Sequence, residues 1–493
     1  MDASASRPLR QWADLPGPRT WPLVGNALQV RPERLHRDLE TWAQDYGPVY
    51  RLQIGPIRVL VLGDHEQAQA VLKARPELYS RPNHLRNIAR DMGLPLGVFI
   101  AEGAEWQAQR RMVMASFAPQ HVRAYLPALQ RVAHRLRRRW LQAAEQQQPI
   151  DLHEDLMRFT VDVIAGLAFG AEVQTIDGGE DVIQRHLNAI FPALYRRLVA
   201  VVPYWRWMQL PQDRQLARSL VSVRAAIDDF IVEARLRLKL DPQRREHPPN
   251  LLEAMIMAAE ATPEANQPAL TDDDIAANVM TMLLAGEDTT AHTLAWLLHL
   301  LSQHPDKLAR AQQEVEAALA QHGLGTPAQL DALPYLDACI NETMRLKPVA
   351  PYLVSEATCD TVIGQVQVPA GMQVWCLMRR DCLANAHFPD ATTFRPERWL
   401  SDGSEDAEAP AAAKRVSMPF GAGPRICPGR YLALMEMKVF LTMLLSSFEV
   451  SSVGRADGQP VDEVMGFVMM PEPMQMRLRP RAAASQQQQR QSA

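Results

Sequence analysis

Several things are scarce in this chain of 493 residues, and each scarcity closes off a class of protein. Cysteine occurs five times, as Cys339, Cys359, Cys376, Cys382 and Cys427, with no regular spacing. That odd set is neither a disulfide framework nor a pattern of paired zinc ligands, and it fits a reducing cytosol. Surplus positive charge is missing too. With 52 basic and 56 acidic residues the formal net charge is −4, which gives no sign of nucleic-acid binding. Residues 1–11 are polar and contain no apolar run of signal-peptide length, so no N-terminal membrane anchor is expected. The most apolar window, 279–301, is long enough to span a bilayer but carries Glu287, Asp288, His292 and His299, each costly at a bilayer centre. It reads as a buried helix of a soluble protein. Internal repeats are absent, and 47% hydrophobic with 22% charged residues is a globular composition.

What is there is concentrated in residues 420–429, Phe-Gly-Ala-Gly-Pro-Arg-Ile-Cys-Pro-Gly. Gly421, Gly423 and Gly429 permit close approaches or conformations that a Cβ would forbid, and two prolines stiffen the path. The segment 430–448 reads as an apolar helix, so Cys427 lies at or just before its N-terminus, where unpaired N–H groups and the positive dipole end favour a thiolate. Arg425 adds a fixed positive charge suited to a carboxylate. A thiolate on a rigid loop beside an arginine is what a haem iron with a sulfur ligand requires. With Phe420, Gly421, Arg425, Cys427 and Gly429 filling every fixed position, the stretch resembles the haem-binding loop of the cytochrome P450 family.

Along the chain, residues 1–14 read as a flexible N-terminus and 15–28 as an extended Pro/Gly lead-in. A helix over 34–45, a hairpin of 49–54 with 58–62, and a helix over 66–73 follow. Residues 83–104 read as an irregular apolar loop, with a new helix from Gly103 carrying Trp106, Arg110 and Arg111. Residues 120–240 are mainly helical, interrupted by an aromatic loop at 201–208, and 241–250 is a solvated linker. Thr271 with three following aspartates caps a helix predicted to run to His304, where Pro305 stops it. Helices over 306–322 and 335–346 come next, then two strands, 362–368 and 372–377, joined by a turn. Residues 401–413 look like a surface insertion, and the Gln-rich tail, 481–493, is expected to be disordered. The fold class is mainly α with small β-sheets, in one domain over 15–480.

Three further constellations support the resemblance. Ala285-Gly286-Glu287-Asp288-Thr289 sits mid-helix, where an acid beside a hydroxyl is a proton-relay candidate and Thr289 can reach the carbonyl four residues back. Trp106 and Arg110, one turn apart, can grip one carboxylate. Glu342 and Arg345 share a helix face, a spacing that on its own marks a surface ion pair. The resemblance places these differently: Ala285 and Gly286 over the oxygen-binding face of the haem, Asp288 and Thr289 as the proton-handling pair, Trp106, Arg110 and Arg425 at the haem propionates, and Glu342, Arg345 and Arg398 as a buried triad behind the haem loop. One departure is Ser355, aligned where many relatives place a propionate-binding arginine; another is Val349 in place of a common proline.

The resemblance therefore implies a long central helix over haem b, with Cys427 as iron ligand. The expected activity is insertion of one oxygen atom from O2 into a small apolar organic substrate, by hydroxylation or epoxidation. Electrons would come from a separate ferredoxin or flavodoxin with an NAD(P)H-dependent reductase. A peroxide-driven peroxygenase and a haem-binding sensor without turnover are the alternatives. The protein is expected to be a cytoplasmic monomer of the bacterial type. Lys414, Arg415, Arg430, Lys438 and Arg111 are expected to form a docking patch for an acidic donor. Substrate-lining candidates are 85–101, 204–208, 283–289, 349–353 and 464–470.

Overall fold

One helix, Asp272–Ser302, sets the architecture of the protein, which is described by a computed structural model over residues 8–170, 174–178, 189–200, 202–261, 268–322, 326–400 and 409–481. Its start is a capping box: Thr271 Oγ1 accepts the Asp274 N–H, and the Asp274 carboxylate accepts the Thr271 N–H at 2.9 Å. Its 31 residues span roughly 46 Å at ~1.5 Å each. The N-terminal half packs Ile275, Val279, Met280 and Leu283 into a core with Leu85, Phe169 and Ile227. The C-terminal half puts Leu294, Leu297, Leu298 and Leu301 into a second core with Trp140, Phe159 and Phe440. Residues 285–290 belong to neither core. That gap between the two cores is where a cavity opens.

Helix Arg430–Ser447 buries Phe440, Leu441, Leu444 and Leu445 in the second core, which fixes the loop that precedes it. On the other side lies a five-stranded sheet in the order Val49–Ile54, Ile57–Leu62, Gln373–Leu377, Tyr352–Ala357, Tyr79–Ser80. The first two strands form the expected hairpin, with Val49 opposite Leu62. Ile57–Leu62 runs parallel to Gln373–Leu377, with Val59 opposite Gln373. Gln373–Leu377 is buried along its whole length, as a central strand must be. Among the described residues no helix is long and apolar enough to cross a membrane.

Four expectations need correction. The segment 83–104 is not irregular throughout: Asn83–Met92 is a helix burying Leu85, Ile88, Ala89 and Met92, and Gly93 ends it in the left-handed conformation. The strands 362–368 and 372–377 are not partners. Gly364, at φ +57°, folds Thr361–Ile363 back on Val366–Val368, while Gln373–Leu377 joins the large sheet. Residues 8–14 are tethered: the Arg10 N–H donates to the Gln365 carbonyl at 2.7 Å and Trp12 Nε1 to the Val59 carbonyl at 2.9 Å. The alanine-rich end of 401–413 is helical, Ala409–Val416, with Ala413 and Val416 buried. Residues 1–7, 401–408 and the tail from 482 lie outside the described residues.

Candidate active site

The cavity beside the long helix has a volume of about 1190 Å³. That exceeds the ~300–1,000 Å³ of an ordinary small-molecule site, leaving space for a large planar group and a second molecule. Ala285, Gly286, Asp288 and Thr289 form one wall, and Phe420, Gly421, Arg425, Cys427 and Gly429 line it from the cysteine loop. Trp106 and Arg110 also line it.

The loop takes its shape from close packing. Gly423, at φ +73°, lets the chain lie against helix His65–Lys73; a Cβ there would sit 2.5 Å from the Leu72 carbonyl oxygen and 2.7 Å from Lys73 Cα. The Cys427 N–H donates to the Phe420 carbonyl at 3.0 Å, and Arg110 Nη2 donates to the Ile426 carbonyl at 2.7 Å. The cysteine loop is thus clamped from both sides. Cys427 Sγ opens onto the cavity, and removal from water pushes its thiol pKa up, against the opposing pull of the Gly429 N–H, Arg110 and Arg430. The helix end and nearby cations thus favour the thiolate in the sense expected, though the cations that do so are Arg110 and Arg430 rather than Arg425.

Arg425 lies 4.4 Å over the Trp106 ring and donates from Nη2 to the Ala101 carbonyl at 2.8 Å and to Glu102 Oε2 at 2.5 Å. Its Nε and Nη1 are buried without a partner. Two arginines not foreseen from the sequence, Arg75 and Arg81, line the same cavity. Burial and mutual repulsion with Arg75 and Arg425 push the Arg81 pKa down to about 9; burial, partly offset by Glu102, pushes that of Arg425 down to about 10. Several buried cations facing one cavity, with donors left unpaired, fit a dianionic group such as the two propionates of haem. Ser355 is buried in Tyr352–Ala357 with its Oγ unpartnered and does not line the cavity. Arg75 and Arg81 bring positive charge to the cavity, which Ser355 does not reach. Their only sequence signal is a repeated Arg-Pro, at 75–76 and 81–82.

On the long helix, Thr289 Oγ1 donates to the Ala285 carbonyl at 2.9 Å, the back-bond expected for it. Burial pushes the Asp288 carboxyl up to about 6. Burial, and secondarily Asp288, push Glu287 up to about 8; its Oε1 meets no partner, and Glu287 faces away from the cavity. A further acid unforeseen from sequence is Glu436 on Arg430–Ser447. It lines the cavity, its Oε1 is unpartnered, and burial drives its pKa well up.

Glu342, Arg345 and Arg398 do meet. Arg345 Nη2 donates to Glu342 Oε1 at 2.7 Å, Arg398 Nε to the same oxygen at 3.0 Å, and Trp399 Nε1 to Glu342 Oε2 at 2.8 Å. Arg345 also donates to the Ala391 carbonyl at 2.6 Å, so this ion pair is buried and saturated rather than superficial. It fastens helix Pro334–Leu346 to the segment leading to the cysteine loop.

Of the lining candidates, Leu85, Phe99, Leu284, Val349 and Phe467 face the cavity. The loop 204–208 does not: Trp205 is buried and donates to Asp91 at 3.0 Å, while Trp207 and Met208 are exposed. Of the expected docking residues, Lys438 is already engaged, 2.8 Å from Asp337.

Comparison with known proteins agrees with this geometry. The cytochrome P450 family model matches residues 15–478. Cytochrome P450 3A6 of Oryctolagus cuniculus is 28% identical over 440 residues, covering 88% of this chain and 85% of its own length. The chloroplastic carotene epsilon-monooxygenase of Arabidopsis thaliana is 28% identical over 452 residues, covering 87% and 78%. The crystal structure of a cytochrome P450, CYP102L1, superposes with a TM-score of 0.77 at 25% identity, covering 95% of this chain and 99% of that one. With a P450 match over nearly its whole length, and a cationic cavity facing one cysteine, the chain belongs to the cytochrome P450 family, as a monooxygenase that binds haem b.

Proposed function

We propose that the protein inserts one oxygen atom from O2 into a small apolar organic molecule, with electrons delivered by a separate ferredoxin or flavodoxin and its NAD(P)H-dependent reductase. The observation that carries this reading is that Asp288 and Thr289 line the same cavity as Cys427. In this reading Cys427 Sγ ligates the iron, while Arg425, Arg110, Arg75, Arg81 and Trp106 hold the propionates. Bound haem supplies oxygen activation. The remaining work falls to the chain. Asp288, with its carboxyl held near neutrality, takes up and releases a proton at working pH. Thr289 Oγ1, back-bonded to Ala285, presents its lone pairs to the cavity and receives that proton's hydrogen bond.

An aromatic part of the cavity wall sets the substrate class. Phe467 stacks on Phe191 at 4.6 Å between ring centroids and meets Phe99 edge-on at 6.1 Å. With Leu85, Leu194 and Val468 these rings make an apolar chamber that excludes water and accepts a hydrocarbon skeleton. The name of the carotene epsilon-monooxygenase relative is in keeping with an apolar substrate of this kind. The test is to supply a surrogate ferredoxin or flavodoxin couple, ¹⁸O-labelled O2 and an apolar compound that shifts the Soret band. One labelled atom per product, matched to NAD(P)H consumed, is the expected result. Product formed from hydrogen peroxide alone, with no NAD(P)H-linked turnover, would favour a peroxygenase, and no product under either regime a sensor.

A further inference from the structure

At the N-terminus of helix His65–Lys73, outside the cavity, three ligand-type atoms converge. His65 Nδ1, Asp381 Oδ2 and His387 Nε2 all lie within 4.8 Å of one another. Asp381 Oδ2 is 2.8 Å from His65 Nδ1 and 3.7 Å from His387 Nε2. The two imidazoles stand edge to face, with centroids 4.8 Å apart and planes at 78°. We propose that His65, Asp381 and His387 form a binding site for a divalent transition-metal ion, with Zn²⁺ the best match to this donor set.

Two imidazoles and one carboxylate are the ligands of choice for Zn²⁺ when a solvent position stays open. Metal bonds of roughly 2.0–2.2 Å place neighbouring ligand atoms roughly 3–4 Å apart; of the separations from Asp381, 3.7 Å to His387 lies within that range and 2.8 Å to His65 just below it. His387 is exposed enough, 33% for its side chain, to close the remaining gap by a rotation about its own bonds. Asp381 is buried and already oriented. Arg380 Nη1 donates to its Oδ1 at 2.7 Å and the His65 backbone N–H to its Oδ2 at 2.9 Å. This leaves Oδ2 a second lone pair to share with the imidazoles, while Arg380 serves as the outer partner that fixes a liganding carboxylate.

The site reaches the haem side of the molecule through the helix it caps, since that helix is the one against which Gly423 of the cysteine loop is packed. The experiment is calorimetric titration of tag-free holoprotein with ZnCl2, repeated with CoCl2 under visible spectroscopy. The expected result is one Zn²⁺ bound with a Kd below about 100 µM. Binding should weaken at least tenfold, by about 1.4 kcal/mol, in His387→Ala and in His65→Ala. Both variants should keep the carbon monoxide difference spectrum of the parent, which reports an intact fold. Cys359 is exposed and is the rival ligand, so Cys359→Ser should leave binding unchanged. No binding below about 100 µM, undiminished affinity in His387→Ala, or loss in Cys359→Ser with a Co²⁺–thiolate charge-transfer band in the parent would each overturn the proposal.

Discussion

Arg425 is stacked 4.4 Å above Trp106 and ion-paired to Glu102, yet two of its three guanidinium nitrogens face no acceptor in the protein. An arrangement that buries a cation and leaves its donors open is costly on its own and becomes favourable when an anion fills it. Glu102 neutralises part of the charge that Arg75, Arg81 and Arg425 bring together, and leaves the rest for a ligand.

The first prediction follows from that imbalance. Arg425→Ala, Arg81→Leu and Arg75→Leu should each lose haem faster, by about 10–100-fold for one charge-assisted contact of about 1.5–3 kcal/mol. Glu102→Gln should retain haem at least as well as the parent. Haem transfer to apomyoglobin measures all four rates.

Cys427 is the cysteine on the cavity wall. Cys427→Ser should abolish the red-shifted Soret band of the reduced carbon monoxide complex. The four other cysteines are not on that wall, so their serine variants should keep it. A Cys427→Ala protein that retained the band would remove the ligand assignment.

Much of this site was legible in the sequence because it is local. The cysteine loop and the acid–threonine turn are short stretches whose residue types point to their own roles, whereas the Glu342–Arg345 spacing alone marks a surface pair and only the family resemblance places it in a buried triad. The helix Asn83–Met92 was harder to see: Leu85, Ile88, Ala89 and Met92 do share one face at helical spacing, with Arg86 and Arg90 off that face, but Pro82 before it provides no capping side chain to mark its start. The hairpin at Gly364 was hidden by an alternating pattern that runs straight through it. Arg75, Arg81, Glu102 and Glu436 were illegible for another reason. Each is a single charged residue in a separate segment, and only tertiary packing brings them to one cavity. Period and motif carry no information about such convergence.

Glu287 gives a pH prediction with a definite sign. Its carboxyl titrates near 4.5 when unfolded and is pushed up to about 8 in the fold, so the native state binds more protons than the unfolded one in between. Its contribution to stability is full below about pH 4.5 and is lost as pH rises through about 8. Glu287→Gln should therefore match the parent at pH 5 and exceed it at pH 8.5, by about 1–3 kcal/mol for one unpaired buried group. Denaturant melts at the two pH values give the comparison. A parallel shift at both would mean that Glu287 is ionised throughout.

In the proposed relay, Asp288 and Thr289 have separate proton functions. Thr289→Ala should bind haem and substrate normally but release hydrogen peroxide in place of product, lowering product per NAD(P)H by about tenfold or more. Asp288→Asn should slow O2 consumption itself. The rate in the parent should bend near pH 6, where Asp288 changes charge, and that bend should vanish in Asp288→Asn. Unchanged coupling in Thr289→Ala would remove the hydroxyl from the relay.

The last prediction concerns the electron donor. The long helix walls one face of the cavity, so in the proposed reading a separate donor approaches from the side of the cysteine loop. Lys414 and Arg415 are exposed on Ala409–Val416, and Arg430, stacked 4.6 Å over Tyr431, begins the helix after Cys427. Lys438 differs: its ammonium lies 2.8 Å from Asp337 and donates to the Leu330 carbonyl at 3.1 Å, so its charge is spent within the protein. Charge reversal at Lys414, Arg415 or Arg430 should raise the KM for an acidic ferredoxin or flavodoxin and leave carbon monoxide binding intact. Reduction should slow steeply as ionic strength rises through 0.15 M, where the Debye length is about 8 Å. Lys438→Glu should instead lower stability with little effect on that KM. Reduction insensitive to salt, or a KM effect confined to Lys438→Glu, would place the donor elsewhere.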